Sequence, residues 1–173
     1  YIGYRKSAEW LDMWLKNPAG WKKNTLMPNF YFKDRTRDAL VAYLATLKGQ
    51  DYKVKPWDDP SVSGDPVKRG ESLFNHAGCV GCHGVKGQGG YNNNNVVGGL
   101  IPSLTMVSEG YSKEELAEKI SKGVPHPAKD DPNGAEPMIH MPSWGEMLSK
   151  DEIESLVEYL YSLKPKSASS DGW

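Results

Sequence analysis

Cys79-Val80-Gly81-Cys82-His83 places two thiols with two residues between them and an imidazole directly after the second. Each thiol can add to one vinyl group of a porphyrin, and the adjacent histidine then lies under the iron as an axial ligand, so the pentapeptide predicts covalent heme attachment. The chain has two cysteines in all, both consumed in this way, and no thiol is left for a disulfide. Two other chemistries use such a pair. Half of a zinc site needs another Cys or His pair at ligand spacing, and a thioredoxin-like redox pair needs a βαβ setting. Neither accompanies the motif here.

The residues leading in, 70–78, have the apolar spacing of an amphipathic helix that ends on Gly78 just before the first thiol. With this helix in place the sequence resembles the class I c-type cytochromes from about Asp65 to Lys164. The resemblance implies an all-α fold, a small helical domain wrapped around heme c. It also implies a proline whose carbonyl takes the free ring nitrogen of His83, here Pro102 in Ile101-Pro102-Ser103-Leu104, and so raises the basicity of the ligand. The plain alternative for Pro102 is a loop proline. The long turn-rich stretch after His83, with Gly84, Gly87, Gly89, Gly90, Asn92 to Asn95, Gly98 and Gly99, is expected to wrap one edge of the heme.

A helix is predicted over 112–122, with Ser112 as N-cap, Glu115 in the capping-box position and Leu116 and Ile120 on one face. Residues 123–137 form a Pro-rich, acidic insertion suited to a docking surface. Met138-Ile139-His140-Met141-Pro142-Ser143-Trp144 follows. A methionine before proline, shortly before the last helix, is the family pattern, and the resemblance makes Met141 the second axial ligand. Met138, Met106, Met147, His126 and His140 are the competitors. An uncharged thioether opposite a histidine stabilises ferrous iron and raises the potential. The closing helix, 150–163, carries Ile153, Leu156, Val157, Leu160 and Leu163. By resemblance it crosses the helix before the thiols, with Gly70 and Phe74 meeting Leu156 and Tyr159.

The first part of the chain repeats the back of this domain. Residues 40–48 match 156–164, and Met27-Pro28-Asn29-Phe30 matches Met141-Pro142-Ser143-Trp144. A helix over 7–16 carries Ala8, Leu11, Trp14 and Leu15 and stops at Asn17-Pro18. A second starts at Asp34, carries Leu40, Tyr43, Leu44 and Leu47 on a face expected to be apolar and buried, and closes at Gly49. No Cys-x-x-Cys-His precedes them. Residues 1–50 are thus a partial cytochrome c-like segment, 51–65 a Lys/Asp/Pro/Ser linker, 66–165 a complete domain and 166–173 a polar tail. The first part belongs to a longer diheme or multiheme protein, is a heme-free remnant, or is completed by a partner chain. In the first case Met27 is a ligand of a second heme; otherwise it is a core filler.

The 173 residues can hold one ordinary domain or two small ones. A formal net charge of −1 and a mean hydropathy of −0.61 give no sign of a nucleic-acid binder. No apolar run is long enough to span a bilayer, and no charged leader with an apolar core is present. Heme c attachment implies export, so a periplasmic or other extracytoplasmic location is expected, with a leader and further chain expected upstream of Tyr1.

A heme held by protein on both faces leaves no position for substrate, so one-electron transfer is the expected function. The incomplete first part favours a subunit or domain of a membrane-associated respiratory or photosynthetic redox complex, with redox proteins or other heme subunits as partners. The alternatives are a diheme cytochrome c peroxidase-like enzyme, against which the two Met-Pro runs argue, and a structural assembly module containing heme. Lys68, Arg69 and Lys86 could form a weakly basic rim.

Overall fold

In the computed structural model residues 2–48 and 52–165 are described. The expected closure at Gly49, the start of the linker and the tail 166–173 lie outside the described residues.

Asp65 opens the helix that precedes the thiols: its carboxylate accepts from the backbone N–H of Val67 and Lys68, and Pro66 follows at the first helical position. At the other end of the domain Ser149 and Glu152 make a reciprocal capping box for the last helix. The helices they start, α6 (Pro66–His76) and α10 (Lys150–Ser162), pack on each other more extensively than any other described pair. Leu73, Phe74, Leu156 and Tyr159 are buried between them. Full burial of such side chains contributes about 1.5–3 kcal/mol each, so this crossing is the main apolar support of the domain. Two shorter elements lie beside α10. They are α8 (Val107–Gly110) and α9 (Lys113–Lys122), the latter with the expected Ser112–Glu115 capping box and with Leu116 and Ile120 buried.

The first part folds around its own small core of Leu11, Leu15 and Val41. Its elements are α1 (Ile2–Arg5), α2 (Ala8–Lys16), α3 (Pro18–Trp21) and α4 (Asp34–Thr46). The repeat is longer here than the sequence match alone indicated. Ser7 caps α2 as Ser112 caps α9, and the residues four and eight positions on are buried in both copies, Leu11 and Leu15 in one and Leu116 and Ile120 in the other. The short α1 sits before α2 as α8 sits before α9, and packs on α4 as α8 packs on α10.

One expectation about this copy is corrected. The face of α4 is not closed: Tyr43 is 60% exposed, Leu40, Leu44 and Leu47 are half-buried, and the buried positions are Val41 and Arg37. Arg37 spans from α4 to Asp12 on α2 at 2.5 Å and to Asp34 at 2.8 Å, so a charged pair stands where α10 has Ile153. Among the described residues no helix crosses α4 as α6 crosses α10.

The stretch read as a linker is also corrected, because most of it is folded onto the domain. A 3-10 turn (Pro56–Asp58) and α5 (Pro60–Ser63) precede α6. Trp57 is 5% exposed within the main core, and its indole N–H donates to Glu152 at 2.7 Å. Proline and aspartate here cap short turns instead of keeping the chain extended, and one tryptophan buries enough apolar surface to hold them. No strand forms among the described residues, which hold three isolated bridges, and none of their helices is long and apolar enough to cross a membrane. The fold is all-α, as expected.

Candidate heme site

After Gly78 the chain turns once as α7 (Val80–His83). The His83 N–H donates to the Cys79 carbonyl at 2.9 Å, and Gly84 N–H to Val80 at 2.9 Å. One turn therefore carries both thiols and the imidazole. Both cysteines are free and half-buried, and burial pushes the Cys79 thiol up to about 12. Burial holds the His83 ring below its ordinary value, which favours the neutral imidazole that a metal ligand must be. The Pro102 carbonyl opposes that shift as a partner to the ring, although Nδ1 is buried with no hydrogen bond of ordinary geometry.

The loop after α7 brings the Pro102 segment toward His83. Gly89 N–H donates to the His83 carbonyl at 2.7 Å, and Leu104 N–H to Gly87 at 2.7 Å, which draws 102–104 alongside 87–89. Gly89 has φ +66°, and a Cβ there would stand 2.6 Å from the Pro102 carbonyl carbon and oxygen. Glycine at this position is a condition of the approach.

Met141 lies on the other side of the sequence but against the same core as Cys79, Val80 and Leu104. The end of α9 holds its backbone. Val124 N–H donates to the Met141 carbonyl at 2.9 Å, and the Ser143 hydroxyl donates to the Ser121 carbonyl at 3.0 Å. Of the competitors, Met147 packs on the same core, but among these residues the backbone bond from Val124 goes to Met141. Met106 is 46% exposed, His126 is exposed, and Met138, His140 and Met147 are half-buried. Burial lowers the His140 pKa, and the charges of Lys6 and His126 lower it further.

Met27 is not brought to this site. It packs on the small core of the first part, and its sulfur accepts from the Trp14 indole N–H at 2.9 Å. Trp14 in turn stacks on Trp10 with ring centroids 5.2 Å apart. The basic rim does not form as a unit either, since Arg69 turns to Asp58 at 3.0 Å.

Sequence reasoning passed over Asn93. It is 5% exposed and exchanges two hydrogen bonds with the backbone of Ile139. Its run of four asparagines was visible, but the run by itself reads as turn chemistry.

Two free thiols on one turn, with an adjacent imidazole whose buried Nδ1 is left without a hydrogen bond, fit a covalently bound heme. The architecture and this motif define a small helical heme protein. The family model for cytochrome c matches residues 67–164, more than half of the chain, and the chain belongs to that family. Comparison with curated proteins gave no match, and comparison with solved structures gave none. The matched domain binds heme c covalently, and its function is heme-based electron transfer.

Proposed function

We propose that His83 and Met141 are the two axial ligands of this heme and that the Pro102 carbonyl orients His83. The heme supplies a one-electron couple. The chain's own residues do the rest: Cys79 and Cys82 fix the group to α7, the core excludes water from one side, and the end of α9 holds the methionine loop. The observation that carries the ligand assignment is the backbone anchoring of Met141 by Val124 N–H, beside the core that also contacts Cys79. Met141→Ala should keep the covalent heme, remove the methionine-to-iron charge-transfer band and lower the potential. A band that survives the substitution assigns the ligand to another residue.

The setting we propose is a subunit or domain of a membrane-associated respiratory or photosynthetic redox complex on the extracytoplasmic side, with other heme proteins as partners. The first part supports a multiheme assembly. It repeats the back of a cytochrome c domain, and the α4 face matching the one that α6 covers on α10 is open at Tyr43. On this reading Met27 serves a second heme whose front half is supplied from elsewhere, and the Trp14 hydrogen bond holds its side chain meanwhile. Intact mass of the natively purified protein, with a pyridine hemochrome assay, tests this: two or more hemes on a heavier chain support it, and one heme on a mass equal to these 173 residues leaves the first part a heme-free remnant or one that docks with a partner.

A further inference from the structure

The chain carries two excursions, 88–100 after the thiol motif and 123–140 before Met141, and the fold joins them. The Asn93 amide donates to the Ile139 carbonyl at 2.8 Å while its oxygen accepts from the Ile139 N–H at 2.8 Å. Around this pair run Met138 N–H to Asn94 at 3.1 Å, Asp130 N–H to Asn95 at 3.0 Å and Val97 N–H to Ala128 at 3.0 Å. The Asn95 amide also reaches the Glu136 carbonyl at 3.1 Å. The excursion that bears Asn93 is itself tied to the histidine side, through Gly89 N–H on His83 and the Gly90–Ile101 and Tyr91–Ile101 backbone bonds.

Asn93 differs from its neighbours in two respects. It is the asparagine of the run that is buried, and it grips the residue two positions before Met141. From the other direction Met141 is held by Val124, so its backbone is fixed on both sides. A buried side-chain amide with both hydrogen bonds made is costly to displace, because moving it would leave the Ile139 N–H and C=O without partners. Asn95, whose bond is exposed and farther along the loop, lacks that leverage.

We propose that Asn93 is a positioning residue for Met141, clamping the methionine loop from the histidine side so that the thioether is retained as a ligand. This rests on the ligand assignment made above. The resulting property is resistance of the ferric protein to exchange, in which an added nitrogen base takes the iron position and the Met141 sulfur leaves.

The test is titration of the ferric holoprotein with imidazole, followed by loss of the methionine-to-iron band, together with a urea unfolding curve for each variant. Asn93→Ala should bind imidazole about tenfold or more tightly than the wild type. Asn93→Ser, which can restore one of the two bonds, should fall between, and it carries the test if the alanine variant does not mature. Asn95→Ala is the control for general loosening of the two excursions and should leave imidazole affinity unchanged. Wild-type affinity in the Asn93 variants, or an equal rise in Asn95→Ala, overturns the proposal. If Met141→Ala keeps the band, the ligand assignment fails and the proposal falls with it; if that band is lost and Asn93→Ala still behaves as wild type, the proposal alone fails.

Discussion

Gly70 on α6 crosses Ser155 on α10 so closely that a Cβ on Gly70 would stand 1.9 Å from the Ser155 carbonyl oxygen and 2.7 Å from the Tyr159 Cβ. Phe74, one turn on, meets the Tyr159 ring at a centroid distance of 5.5 Å. The crossing sets the position of α7, and hence of both thiols and His83, because α6 runs into the motif.

Gly70→Ala should therefore destabilise the domain by about 3 kcal/mol or more, since the clash is with backbone and not with a side chain that can turn away. Urea unfolding of the holoprotein measures this, and a wild-type midpoint would show that the helices separate without cost.

Tyr159 and Tyr43 occupy matching places in the two copies but not matching environments. Tyr159→Ala should cost about 3–5 kcal/mol, as deletion of a buried aromatic ring does. Tyr43→Ala, at a position 60% exposed, should change stability by less than about 0.5 kcal/mol in this chain. Paired unfolding curves of the 173-residue chain decide it, and a large cost at Tyr43 would mean that α4 is covered.

Glu152 ties the folded linker to α10. It is 3% exposed and accepts from the Lys55 ammonium at 2.8 Å, from the Trp57 indole and from the Ser149 N–H. Burial pushes its pKa up, but these hydrogen bonds together outweigh burial, and the net shift is downward. A carboxylate lowered in the folded state adds stability above its unfolded pKa and loses it as pH falls through the folded value. Glu152→Gln should thus cost about 1–3 kcal/mol at neutral pH, and the gap to the wild type should shrink in acid. Unfolding midpoints at neutral pH and below the carboxylate range test the sign; a gap that widens in acid contradicts it.

Replacing both Cys79 and Cys82 by alanine should abolish covalent heme. Either single variant keeps one thiol and should retain heme through one bond. Heme staining after denaturing electrophoresis, with intact mass, reads the outcome, and covalent heme in the double variant would contradict attachment at this motif.

The chemistry was legible in the sequence because it is local. Five consecutive residues carry the thiols and the imidazole, and a helical turn is enough to present them together. The Ser112 capping box was legible for the same reason, while the Gly70–Phe74 crossing came from the family resemblance and the repeat from matching two stretches of the chain. Trp57 was not, because nothing near it in the chain announces that its partner is Glu152. Tyr43 shows the converse: Leu40, Tyr43, Leu44 and Leu47 repeat the Leu156, Tyr159, Leu160 and Leu163 of the last helix, yet burial depends on whether a second helix crosses them.

The sequence by itself determined the heme-binding motif, the helical class and the membership of the chain in the cytochrome c family. Only the tertiary structure decided that Pro102 packs against Gly89, that Asn93 grips Ile139, and that one copy of the repeat is closed while the other is open. The physical reason is range. Capping and helical periodicity act over three or four residues, whereas these contacts join residues many positions apart, and their partners are fixed by how the loops and helices pack.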